Sequence, residues 1–142
     1  MQLGLTITSV SLEAADALID AAVARSVENG KQMVIAVVDA AGNLKAYRRM
    51  DGAPSLSVDI AINKAWTAAS YGFPTHGWGA FLAGDEGVRQ IAHTPRLITF
   101  GGGYPIMIDG QLAGGLGISG GHYSEDMDVA EAALTSLGLL AG

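Results

Sequence analysis

The sequence predicts a mixed α/β domain. Apolar-striped helices should cover both faces of one five-stranded, mostly antiparallel sheet, giving a three-layer α/β/α sandwich. Three observations predict it. Two turn signals, at residues 39–43 and at Asp109-Gly110, each join two strand-like runs, and hairpins imply antiparallel pairing, not parallel crossovers. Three stretches carry apolar residues at helical spacing. The 142 residues fit one domain, 1–142, with no repeat or linker, and 49% hydrophobic against 15% charged content excludes disorder.

The first helix starts after Ser11, an N-cap residue, with Glu13 in the first turn where the helix dipole favours it. Leu12, Ala15, Ile19, Ala22 and Ser26 form its stripe, and Asn29-Gly30 ends it. Residues 34–38 are a continuous apolar run, the mark of a strand covered on both faces. Residues 44–50 return from the turn with alternating faces. A second helix begins at Ser55 or Ser57 and runs to about Ser70, before Gly72-Phe73-Pro74. Val58, Ala61, Ala65 and Ala68 make a small-residue stripe that would let it sit close on the sheet. Lys64 falls beside that stripe, where a lysine either lays its stem over apolar neighbours or anchors a ligand.

From Pro74 the chain is less regular, with Trp78, Phe81 and Leu82 as anchors among four glycines, the composition of a short helix and a lid-like loop. Residues 96–100 read as a third strand. Residues 104–108 and 112–119 then pair around Asp109-Gly110, and a last helix runs from about Glu125 to Leu137, capped by Ser124 and ended by Gly138.

Nine of the twenty glycines lie in residues 101–121. Gly114, Gly115 and Gly117 weaken a strand, so something should approach that backbone closely. The strand, the Gly120-Gly121 turn and the following helix start bring N–H groups together, as an anion or polar ligand requires. A ligand-facing glycine wall is expected; a hairpin packed under a helix is the alternative.

A net charge of −6 and no basic run argue against a nucleic-acid partner. Zero cysteines remove disulfides and thiol chemistry. No apolar run is long enough to span a membrane, and Glu13, Asp16 and Asp20 stand where an export signal would be apolar. A cytoplasmic location is expected.

Three ordered blocks carry a family resemblance. The first is Ala36-Val37-Val38-Asp39 with Gly42-Asn43. The second is Arg49-Met50-Asp51-Gly52-Ala53 followed by residues 61–68, Ala-Ile-Asn-Lys-Ala-Trp-Thr-Ala. The third is Gly102-Gly103-Tyr104-Pro105 with residues 114–121, Gly-Gly-Leu-Gly-Ile-Ser-Gly-Gly, and Asp126. Together they resemble the GlcG/HbpS family, which includes the C-terminal domain of PduO-type proteins. The resemblance implies a profilin-like fold and a homo-oligomer. It implies haem binding in some members and an accessory place in catabolic operons for others. It also places Arg49 near the site, and Gly103, Tyr104, Gly120 and Gly121 are candidate ligand contacts with it. His122 and Glu125 depart from the family pattern, which has a small residue and then a Gln-Asp pair after the glycines.

The remaining chemistry rests on few residues. His122, Glu125 and Asp126 cluster at the glycine turn, as a divalent-metal site or an acid–base pair would, or as an ordinary acidic helix start. His76 and His122 are the candidate axial ligands if haem binds; His93 reads as an exposed loop residue. Arg49 can hold a propionate or substrate carboxylate. Two functions follow: a homo-oligomeric binder of haem or another tetrapyrrole, or a small isomerase, hydratase or lyase acting on a carboxylated metabolite. The second would use His122, His76 or Glu125 as acid–base group and Arg49 and Lys64 as anchors. In either case the partner is a small molecule.

Overall fold

The structure, a computed structural model, describes residues 1–140. It contains β1 (Val34–Asp39), β2 (Leu44–Arg49), β3 (Gly103–Ile108) and β4 (Gln111–Ser119) in the spatial order β2-β1-β4-β3. Every neighbouring pair is antiparallel. The helices are α1 (Leu12–Glu28), α2 (Ser57–Tyr71), α3 (Trp78–Gly84), α4 (Glu86–Arg89) and α5 (Tyr123–Ser136).

Val34–Val38 of β1 are all buried, because alternate residues serve two cores. Ile35 and Val37 join Leu18, Ile19 and Ala22 of α1 and Val129, Ala133 and Leu134 of α5. Val34, Ala36 and Val38 join Ala61, Ala65 and Ala69 of α2. A β-branched strand enclosed on both sides reads as an unbroken apolar run for this reason.

The sheet has four strands, not five. Residues 96–100 make no ladder: Arg96 has φ 70°, outside the extended region, and the segment is held by α2 instead. Thr67 Oγ1 donates to the Arg96 carbonyl at 3.2 Å and accepts the Ile98 N–H at 3.1 Å. The donor that a strand would have used is spent on a side chain. The two expected hairpins are present. Asp109 (φ 50°) and Gly110 (φ 75°) both take the left-handed conformation that a tight two-residue turn needs.

The glycines of β4 answer to a helix. A Cβ at Gly115 would collide with the Ala65 carbonyl and one at Gly117 with the Ala61 carbonyl. What approaches this backbone is α2 itself, lowered onto the sheet by its alanine stripe. At those two positions the hairpin-under-a-helix alternative holds.

Ser11 caps α1 as expected, its Oγ accepting the Ala14 N–H at 3.1 Å. The α5 cap differs. It is His122, not Ser124, and the helix begins at Tyr123. The segment between α2 and β3 contains a 3-10 turn at Thr75–Gly77, α3, α4 and a second 3-10 turn at Gln90–His93. Among the described residues no helix is long and apolar enough to cross a membrane.

Candidate functional site

Lys64 is fully buried, so it is neither a surface lysine nor an anchor open to a ligand. Its Nζ donates to Asp126 Oδ2 at 2.7 Å and to the Ile118 carbonyl at 2.8 Å. Asp126 is 2% exposed and also accepts the Gly121 N–H at 3.0 Å. Burial lowers the Lys64 pKa and raises that of Asp126, each because desolvation penalises the charged form, while their mutual attraction opposes both shifts. Gly102 makes this meeting possible: a Cβ there would stand 2.6 Å from Lys64 Nζ and 3.0 Å from Asp126 Cβ. The pair ties α2, the end of β4 and α5 together.

His122 and Glu125 form a helix cap, not a metal centre. His122 Nδ1 accepts the Ser124 N–H at 3.2 Å, and Glu125 Oε1 accepts the His122 N–H at 2.9 Å. This reciprocal arrangement satisfies two free donors of the helix start. Glu125 Oε2 also meets Lys31 Nζ at 2.8 Å, and the Lys31 partner, then the His122 N–H, hold its pKa below the usual carboxylate value. Among the described residues no three His, Asp or Glu side chains gather as metal ligands.

The other predicted residues separate. Arg49 ends β2 at one edge of the sheet, whereas Tyr104 lies on β3 at the opposite edge, three strands away or about 14 Å. Arg49 is exposed and makes no ion pair among the described residues, with Asp51 or otherwise. Gly103 is buried against Thr75, whose Oγ1 accepts its N–H at 2.9 Å. Gly120 packs on Met33 and Gly121 on Glu125.

His76 and Tyr104, by contrast, come together. Their rings lie 5.7 Å apart, and both line a cleft of about 600 Å³ beside β3. That volume suits a small molecule or cofactor. The rest of the lining is largely apolar: Pro74, Pro105, Met107, Leu134 and Leu139, with Glu131 the charged member. His76 is exposed at the rim. Tyr104 is 3% exposed, and its hydroxyl is buried beside Glu131. Burial first, and the Glu131 charge second, push its pKa well up, so the phenol stays neutral and is a donor rather than an anionic ligand.

Glu131 escaped the sequence reading. It sits three residues before Leu134, one turn away on the same side of α5, and that spacing was the available signal.

A four-stranded antiparallel sheet with packed helices, and an apolar cleft at its β3 edge, defines a small α/β protein with room for a compact ligand. Residues 10–135 match the family described as haem degrading protein HbpS-like, and the chain belongs to that family, the one its three sequence blocks resemble. It is 40% identical over 135 residues to the corrinoid adenosyltransferase PduO of Citrobacter freundii, covering 91% of this chain but 39% of that protein. The chain thus spans well under half the length of this relative. Among solved structures, Klebsiella pneumoniae protein ORFY superposes with a TM-score of 0.91 at 33% identity, over 99% of each chain. A PduOC:heme complex superposes with a TM-score of 0.86 at 34% identity, over 94% of this chain and 98% of that one.

Proposed function

We propose that this chain is a cytoplasmic, homo-oligomeric binding protein for haem or another tetrapyrrole, built on a profilin-like three-layer frame. One observation carries the reading: a largely apolar cleft with an exposed imidazole at its rim. The haem complex of a similar chain supports it, and the two separate cores on either side of the sheet support the frame.

The cleft residues fit such a ligand in part. Leu134, Leu139, Met107 and the two prolines suit the macrocycle, and His76 is the available nitrogen ligand. When bound, haem would supply a redox-active iron. No cation lines the cleft among the described residues, and Glu131 is acidic, so the propionates are left to face solvent.

Haem titration followed by absorbance tests the reading. The wild type should give a saturable Soret shift at one haem per subunit. His76→Ala should abolish it, while His122→Ala should retain it, because the His122 ring is engaged in the α5 cap. A non-saturating shift in all three proteins would remove haem from consideration.

A further inference from the structure

Residues 1–9 form no helix or strand, and residues 1–7 are exposed. Leu3 is 90% exposed, Leu5 81% and Ile7 65%. The first ties to the body are at Ser9, whose Oγ accepts the Ala40 N–H at 3.1 Å, and at Val10, whose N–H donates to the Ala113 carbonyl at 2.9 Å. Leu3-Gly4-Leu5-Thr6-Ile7-Thr8 alternates large apolar with small or polar residues, and residues 1–12 hold no charged side chain. That is the pattern of a strand with one buried face, and an uncharged strand left unpaired invites pairing with another chain. Extended at roughly 3.3 Å per residue, nine residues reach about 30 Å. The superposition on ORFY covers 99% of this chain and so includes this arm.

A second feature on the same chain lacks a partner. Tyr71, Phe73, Trp78, Phe81, Val88 and Ile91 line a groove of about 240 Å³ between the end of α2 and the α3–α4 segment. Tyr71 and Phe81 are more than half exposed. Trp78 is 4% exposed, yet its Nε1–H has no acceptor among the described residues. A buried indole N–H ordinarily finds one, since burial strips it of the hydrogen bonds it makes in water. The groove therefore offers apolar walls, with the unpaired indole N–H buried behind them. An extended segment offers apolar side chains at every second residue and spare carbonyls.

We propose that residues 3–8 of one copy lie extended in the aromatic groove of a second copy. Leu3, Leu5 and Ile7 pack on the rings of Tyr71, Phe73 and Phe81. The partner is a second copy because arm and groove are complementary halves of one sequence, so a two-fold exchange seats both arms at once. The β2 edge is a poor alternative, since Lys45, Arg48 and Arg49 guard it with charge. This inference rests on the homo-oligomer part of the proposed function and is independent of haem.

Solution mass by light scattering tests it, on the full chain, on a variant lacking residues 2–8, on the Leu3→Asp/Leu5→Asp/Ile7→Asp variant and on Phe81→Asp. The full chain should be a multiple of the subunit. The arm variants and Phe81→Asp should all fall to the same smaller mass, with circular dichroism unchanged. A synthetic peptide of residues 1–10, added to the arm-deleted protein in a Trp66→Phe background, should shift the emission of Trp78 saturably. A full chain of single-subunit mass would overturn this inference together with the homo-oligomer reading. An assembled full chain whose mass survives arm deletion would overturn the inference alone. Arm-dependent mass that Phe81→Asp leaves intact, with Trp78 emission unmoved by peptide, would overturn the assignment of the groove.

Discussion

At the scale of single residues, Lys64 is the most consequential side chain in the protein. It carries an ammonium into the fully buried junction of α2, β4 and α5, and it is tolerable there because Asp126 meets it at 2.7 Å and the Ile118 carbonyl takes a second proton donor. Taking both charges out of water is costly, so the pair adds little net stability, but breaking it leaves one charge stranded. Lys64→Met should therefore destabilise the protein by about 3–5 kcal/mol in denaturant unfolding. Lys64→Met/Asp126→Leu should recover much of that loss. If the double variant is no more stable than the single, the stranded charge is not the cause. The pH sign follows from the shifts. Asp126, with its pKa raised by burial, loses stability contribution as pH rises from its ordinary 3.8 through its folded value. Lys64, with its pKa lowered, adds stability as pH rises from its folded value towards 10.5.

At the scale of elements, the contact between α2 and β4 is set by residues that lack side chains. Gly117→Ala would drive a Cβ into the Ala61 carbonyl, which belongs to a helix backbone and cannot rotate aside. We expect a loss of about 3 kcal/mol or more, the upper range for overpacking. Gly79→Ala in α3, where nothing lies within 4 Å, should instead gain about 0.5 kcal/mol. Thermal unfolding of the two variants reads both signs; a tolerated Gly117→Ala would mean the helix can lift. These elements also mark what a sequence can disclose. Asp109-Gly110 and the Val34–Val38 run announce their structures locally, because turn conformation and two-sided burial leave residue-type signatures. Residues 96–100 do not, since the fate of that run depends on Thr67, some thirty positions away. The burial of Lys64 was hidden for the same reason: its partner Asp126 is 62 residues distant. Of the site, His76 and Tyr104 stood out as residue types. That they share a cleft, and that Arg49 does not, is decided by the strand order β2-β1-β4-β3.

At the scale of the whole molecule, α1 and α5 share one core and are also laced at their surface. Arg25 meets Asp128 at 2.9 Å, Asn29 donates to Asp128 at 2.8 Å, and Lys31, just beyond α1, meets Glu125 at 2.8 Å. These partners hold both carboxyls below their ordinary values of 4.5 for Glu125 and 3.8 for Asp128. A carboxyl with a depressed folded pKa contributes stability that is present above its unfolded value and is lost as pH falls through the folded one. The Arg25→Met/Lys31→Met variant removes both cationic partners. Its stability deficit against wild type should be present at pH 7, narrow as pH falls below 4.5, and close once both carboxyls are protonated. Because the groups are only half-buried, raising the salt concentration at pH 7 should narrow the same gap. Urea midpoints across pH, at low and high salt, measure both effects. A deficit that ignores pH and salt would assign the lacing to the packed stems of Arg25 and Lys31 and not to their charges.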